Sequence, residues 1–327
     1  MLYKRILELK QATSGITTNP TLDAFSGDEC KMLDSFYNQD ETVREKINNC
    51  LNLLEGLSID YNVKYKSAYE EYNEAITYIE LSDKFSTTRI PESSTKTPDF
   101  NIKRNDEDSP IDLYVEVKAL SFLDGNLNYI QAQKDSLKAN LSIEKQQRSG
   151  RRIASAETII SPFSKNGKSP NFREVIEIYI EKIQNNIKEG QFQLGDTVLL
   201  IDLKQLLPPN NWYESGLAIY QERMYQSMVS GTLWHTAFGQ IGDMIFAPIK
   251  FEGEFNVDSK LEKNGILIDY PFIKGLIFAV YENFQERRYL GFYRHNEQAG
   301  QIADFISGFC NFYNDDKNTN AFRVLQK

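Results

Sequence analysis

A layered α/β fold, with a central mixed sheet flanked by helices and a helical region ahead of it, is what this 327-residue sequence predicts. Three observations carry that expectation. The run Ile-Asp-Leu-Tyr-Val-Glu-Val-Lys-Ala at 111–119 alternates apolar and polar side chains, the period of a strand with one covered face. The run at 197–203 is apolar on both faces, as a central strand buried from both sides must be. Between and before them, apolar residues recur at helical spacing.

The chain opens in helices. Leu33, Phe36 and Tyr37, then Val43, Ile47, Leu51 and Leu54, share helical spacing, broken near Asn19-Pro20 and at Gly56. They define a helical N-terminal region, residues 1–62. A further helix over 67–83 puts Ala68, Tyr72, Ala75, Ile76 and Ile79 on one face and begins the main domain, residues 63–313. Residues 314–327 are left as a C-terminal tail. Strands are expected over 99–103 and 111–119, joined by the polar turn at 105–110. A long polar helix then runs from after Gly125 to Arg148, followed by a Ser/Gly/Lys/Pro-rich loop at 161–170 and a helix over 172–189. The strand at 197–203 is closed by Pro208-Pro209. Beyond it the pattern predicts a helix from Tyr213 to Leu233, strands over 275–281 and 288–293, and a closing helix over 298–313.

Composition bounds the function. The formal charge is −9, so any nucleic-acid contact needs a local basic surface and not a global field. Cys30, Cys50 and Cys310 are far apart and odd in number, which excludes a disulfide framework and a C-x-x-C metal motif and points to a reducing cytoplasm. The first residues lack an export signal, and the longest apolar runs are of strand length, so a soluble protein without a membrane span is expected.

One constellation carries chemistry. Thr97-Pro98-Asp99-Phe100 places an acid beside a turn, and Glu116-Val117-Lys118 follows on the alternating strand. An acid and a lysine two apart on a strand share one face, so a metal-binding carboxylate and an ammonium sit together. The triplet alone is common: Glu8/Lys10, Glu29/Lys31, Asp202/Lys204, Asp258/Lys260 and Asp315/Lys317 repeat it. The first two fall in helical or capping segments, where positions two apart diverge. The last two fall in polar loop-like surroundings. Asp202/Lys204 lies at the exit of its strand with no Pro-Asp partner, which leaves Asp99, Glu116 and Lys118.

These residues resemble the signature of the PD-(D/E)xK nuclease superfamily, the restriction-endonuclease-like fold, and the order of elements resembles it over about residues 67–203. The resemblance implies a helix carrying a glutamate, a three-stranded meander with the proline–aspartate near its second strand and the E-x-K on its third, then a helix and another strand. It implies Asp99 and Glu116 as ligands of Mg²⁺, with Mn²⁺ as a substitute, the Val117 carbonyl as a further ligand, and Lys118 beside the attacking water. The products would carry 5′-phosphate ends. For the additional acid, Glu70, Glu71, Glu74 and Glu80 compete; the helical wheel sets Glu71 at the edge of the apolar face, and Glu71 is chosen.

Between Lys134 and Lys168 eight Lys/Arg stand against three acids, a local basic surface within an acidic chain. Lys134, Lys138, Lys145, Arg148, Arg151 and Arg152 are its candidate nucleic-acid contacts. Other chemistries fit less well. Asn166-Gly167-Lys168-Ser169 has Pro162 where a phosphate-binding loop needs its first glycine, and His235 and His295 are too few for a histidine-based metal hydrolase. The expectation is a metal-dependent DNA nuclease, with RNA as the other substrate. The N-terminal helices and the region after Leu203 would serve target recognition or homodimerisation. The rival reading is a non-catalytic protein- or nucleic-acid-binding module on the same scaffold.

Overall fold

Five helices precede the sheet: α1 (Leu2–Thr13), α2 (Pro20–Ala24), α3 (Gly27–Phe36), α4 (Glu41–Leu54) and α5 (Asn62–Ser82). The computed structural model describes all residues except 14–19, 57–61, 92–95, 106–109, 122–128, 157–162, 164–168, 252, 284, 298–299 and 320–327. Ser26 and Asp40 start α3 and α4 by accepting the amide hydrogens of Glu29 and Val43. Leu33, Val43, Ile47 and Leu54 bury together with Tyr65, Ala68, Tyr69 and Tyr72 of α5, as their spacing predicts. Ala119 of the sheet belongs to the same cluster, so this helical layer seats directly on the main body.

The remaining elements are β1 (Ser86–Arg89), β2 (Phe100–Arg104), β3 (Ile111–Ala119), α6 (Tyr129–Arg148), α7 (Phe172–Gln184), β4 (Thr197–Asp202), α8 (Trp212–Ser215), β5 (Ile219–Gln221), β6 (Met228–Ser230), α9 (Thr232–Phe238), β7 (Met244–Phe246), β8 (Val257–Lys260), α10 (Ile266–Asp269), β9 (Ile273–Glu282), β10 (Glu286–Tyr293), α11 (Gln301–Phe309) and β11 (Phe312–Asp315). Seven strands form one mixed sheet in the order β1-β2-β3-β4-β9-β10-β11. The first three make an antiparallel meander. Strands β3, β4 and β9 run parallel, which requires long crossovers, and α6 and α7 lie in the first of them.

The expected α/β architecture is therefore present. Every residue of β4 is buried, as its two apolar faces require. Leu199 and Ile201 face a core shared with Ile176, Tyr179, Ile180 and Ile183 of α7. Val198 and Leu200 face the opposite core with Val115, Val117, Phe305 and Ile306. Asn171 and Glu174 close a capping box at the start of α7. Among the described residues no helix is long and apolar enough to cross a membrane.

Several boundaries differ from the sequence reading, for identifiable reasons. The expected helix from Tyr213 to Leu233 is α8, the hairpin β5–β6 and the start of α9. Gly231 decides this: a Cβ there would lie 1.8 Å from the carbonyl oxygen of Leu217, an approach that only glycine permits. Helix α7 ends at Gln184, not near 189, and a 3₁₀ turn at Glu189–Phe192 brings the chain back to the sheet. The closing helix is α11 alone; Cys310 ends it in extended geometry, and β11 then adds to the sheet edge. The expected tail boundary after Tyr313 thus falls inside a strand whose Asn314 and Asp315 are buried.

Candidate active site

The site forms where β3 outruns β2. Their antiparallel register pairs Phe100 with Val115 and, continued past the end of β2, sets Pro98 opposite Val117. Proline has no amide hydrogen to give the next carbonyl of β3, so the ladder stops there. The side chain of Asp99 takes over: its Oδ2 accepts the Val117 amide hydrogen at 2.8 Å. Glu116 and Lys118 flank that amide on the β3 face directed towards α7, and they form an ion pair.

Glu116 is wholly buried. Its Oε1 accepts a hydrogen bond from the side-chain amide of Gln191, delivered by the 3₁₀ turn after α7, and also pairs with Lys118. Its Oε2 is buried with no such donor. Asp99 and Glu116 are near enough that the charge of Glu116 acts on Asp99. A cavity of about 270 Å³ opens beside Lys118, lined by Glu70, Asn73 and Glu74 of α5, by Val117, Lys118 and Ala119 of β3, and by Asn185, Asn186 and Lys188 beyond α7.

Burial without full pairing dominates the electrostatics. It pushes Asp99 up to about 7, reinforced by the neighbouring charge of Glu116. It also pushes Glu116 up to about 7 against the opposing pull of Lys118. Glu74 rises to about 8, through burial and then the charge of Asp99. Burial disfavours the charged form of Lys118, yet Glu116 and Asp99 outweigh it and its pKa is raised. Lys118 is thus a firm ammonium beside carboxyls that hold protons near neutrality.

The helix glutamate that engages this group is Glu74. Glu71, chosen from the helical wheel, is turned towards α4: it pairs with Lys46 at 3.2 Å and accepts from Asn49 at 3.2 Å. Lys46 is itself buried and pairs with Glu74 as well. The N-terminal region therefore reaches the site through one cation. A lysine at apolar-face spacing with Val43, Ile47 and Cys50 was a readable signal for it. Gln191 had none, because its place depends on where α7 stops.

The other strand-borne triplet is structural. The β3–β4 register pairs Ala119 with Asp202 and Lys118 with Ile201, which puts Asp202 on the face opposite Lys118. There Asp202, fully buried, accepts from Tyr69 at 3.0 Å and pairs with Arg287 at 3.2 Å. Lys204 Nζ lies 3.9 Å from the centroid of the Tyr281 ring. Of the basic stretch, Lys138, Lys145, Arg148, Arg151 and Arg152 are exposed on and after α6, with Arg148 paired to Glu144 at 3.3 Å. The Lys134 side chain lies outside the described residues.

Among the described residues no three His, Cys, Asp or Glu side chains are spaced to hold a metal ion. Two carboxylates are what the site offers. They fit Mg²⁺, which takes one or two carboxylates and keeps several waters, and the orphaned Oε2 of Glu116 is an oxygen in need of a partner. No protein-family model, curated protein or solved structure matches the chain.

Proposed function

We propose that this chain is a metal-dependent nuclease of restriction-endonuclease-like fold, hydrolysing phosphodiester bonds of DNA. One observation carries the reading: Asp99, in the turn before β2, and Glu116 of β3 are brought together at the Val117 amide beside the Lys118 ammonium, and Lys118 lines an open cavity. The succession of α5, the meander β1–β3, the crossover helices and parallel β4 supports it, because this is the order that the motif's superfamily uses.

Asp99 and Glu116 would hold Mg²⁺ or Mn²⁺, and the Val117 carbonyl, opposite Pro98 in the continued register, would join them. A hard divalent ion at these oxygens supplies an acidified water and a polarised phosphoryl oxygen. Lys118, fixed by Glu116, is placed to donate to a phosphate oxygen and to offset the charge that grows there. Gln191 holds the Glu116 carboxylate in one orientation. Glu74 lines the cavity on the helix side and is held there by Lys46. The exposed Lys138, Lys145, Arg148, Arg151 and Arg152 are suited to backbone phosphates.

The test is incubation of the protein with plasmid and Mg²⁺ or Mn²⁺, comparing wild type with Glu116→Ala and Lys118→Ala. Wild type is expected to cut; Glu116→Ala abolishes cleavage, and Lys118→Ala lowers it by about 10²–10³-fold, the loss on removing one electrostatic donor. Cleavage that survives both substitutions rules the site out. Nucleic-acid binding without cleavage under either metal favours a non-catalytic module.

A further inference from the structure

We infer that the cavity between the exit of β4 and the β5–β6 hairpin receives an unstacked nucleobase of the nucleic acid whose backbone passes Lys118. This rests on the nuclease reading and adds to it a base-contacting pocket. The cavity has a volume of about 630 Å³, larger than the space at the carboxylates and separate from it. Trp212, Tyr213 and Tyr220 line it. The guanidinium of Arg288 lies 5.9 Å from the Trp212 ring centroid, which fixes that ring as a platform. Every base has a π-face, so aromatic platforms of this kind bind bases with little regard to sequence.

The polar groups select a flat, neutral ligand. Asn210 is buried, donates to Tyr220 at 2.9 Å, and leaves its Oδ1 without a partner. Glu214 and Glu282 also line the cavity and would repel a phosphate inside it. Arg223, exposed on the turn between β5 and β6, has no ion-pair partner among the described residues and is free to meet a phosphate at the rim.

Position links the cavity to the carboxylates. Strands β3, β4 and β9 are parallel, so the C-terminal ends of all three, at Ala119, Asp202 and Glu282, open on one edge of the sheet. Val280, Tyr281 and Glu282 of β9 line the cavity, two strands from β3. At about 4.8 Å per strand the lateral offset is roughly 10 Å. Residues 280–282 lie two to four residues beyond Phe278, which is level with Lys118, adding roughly 7–13 Å at about 3.3 Å per residue. The cavity is within reach of a base a few nucleotides from the bond being cut.

The experiment measures fluorescence anisotropy of the full chain, in EDTA, with a short labelled single-stranded DNA and with its abasic counterpart of equal phosphate count. The base-bearing strand is expected to bind roughly tenfold tighter, the scale of one stacked base. Trp212→Ala should erase that preference while leaving the abasic affinity unchanged. Should Trp212→Ala fail to fold, Arg223→Ala on the exposed turn replaces it, with an expected loss of about threefold for both strands through a phosphate contact and a preference that free adenosine at saturating concentration then removes. Equal affinities for the two strands, or a preference that survives Trp212→Ala or, in its place, saturating adenosine, overturns the inference. Plasmid cleavage with equal affinities removes the cavity and leaves the nuclease. A base preference without plasmid cleavage in Mg²⁺ or Mn²⁺ does the reverse.

Discussion

The Val117 amide donates to Asp99 Oδ2 at 2.8 Å, which ties the turn before β2 to the point of β3 between Glu116 and Lys118. Asp99 therefore has two separable roles: it completes a backbone ladder that Pro98 interrupts, and it offers carboxylate charge to the proposed metal site. An asparagine can accept the same amide hydrogen but brings no charge. Asp99→Asn is expected to fold with near wild-type stability in urea and to lose cleavage. Asp99→Ala leaves the amide unpaired and should cost about 1–3 kcal/mol besides. Equal stability of the two variants would show that the bond to Val117 does not support the strand.

Glu74 and Glu71 share a helix and a cation but face different surroundings. Glu74 lines the cavity and its charge acts on Glu116; Glu71 faces Asn49 and Lys46. Glu74→Gln should weaken Mg²⁺ dependence, with the metal concentration for half-maximal cleavage rising by about tenfold, the lower end for groups that support a metal site without binding it. Glu71→Gln should leave it within about twofold. A reversed order in a metal titration would restore Glu71 to the site.

The difference between those glutamates marks how far the sequence could be read. Strand β3 announced itself because alternation has a period of two and shows on one strand alone, and β4 because both its faces are apolar. Asp99, Glu116 and Lys118 were legible because Pro-Asp and Glu-x-Lys are local patterns whose side-chain directions follow from strand geometry. Glu74 was not, because the choice among helix glutamates depends on how α5 is rotated against α4, which Lys46 decides from outside the segment. Strands β5, β6 and β11 have three or four residues each, too short to show a period. Gln191 depends on the early end of α7.

The raised carboxyls make the metal-free fold sensitive to pH. Asp99 moves from an ordinary 3.8 to about 7, and Glu116 from 4.5 to about 7. Glu74 moves from 4.5 to about 8. The folded protein then holds protons that the unfolded chain has released, so stability falls as pH rises from about 4 through about 8. Lys118 and Lys46, both raised above 10.5, stay charged across that window and contribute no slope. Thermal melts in EDTA should show Tm declining between pH 5.5 and pH 8.5, with a shallower decline in Glu116→Gln. Adding Mg²⁺ should raise Tm more at the higher pH, where fewer protons have to be displaced. A Tm that climbs with pH in EDTA is the outcome that contradicts these shifts.

Lys46 is where the helical layer and the site depend on each other. It is 2% exposed and pairs with both Glu71 and Glu74. Truncating one partner of a buried ion pair costs about 3–5 kcal/mol, because the remaining charge stays buried without compensation. Here the cost must depend on pH: Glu74, at about 8 even with the lysine present, can escape by taking a proton. Lys46→Met is therefore expected to lose about 3 kcal/mol or more at pH 8.5 and distinctly less at pH 6 in urea unfolding. The double substitution Lys46→Met/Glu74→Gln removes the charge that strands the site and should recover part of the loss at pH 8.5, with little recovery at pH 6. A penalty for Lys46→Met that is flat with pH would mean that the packing of its aliphatic stem, and not its charge, holds α4 against α5.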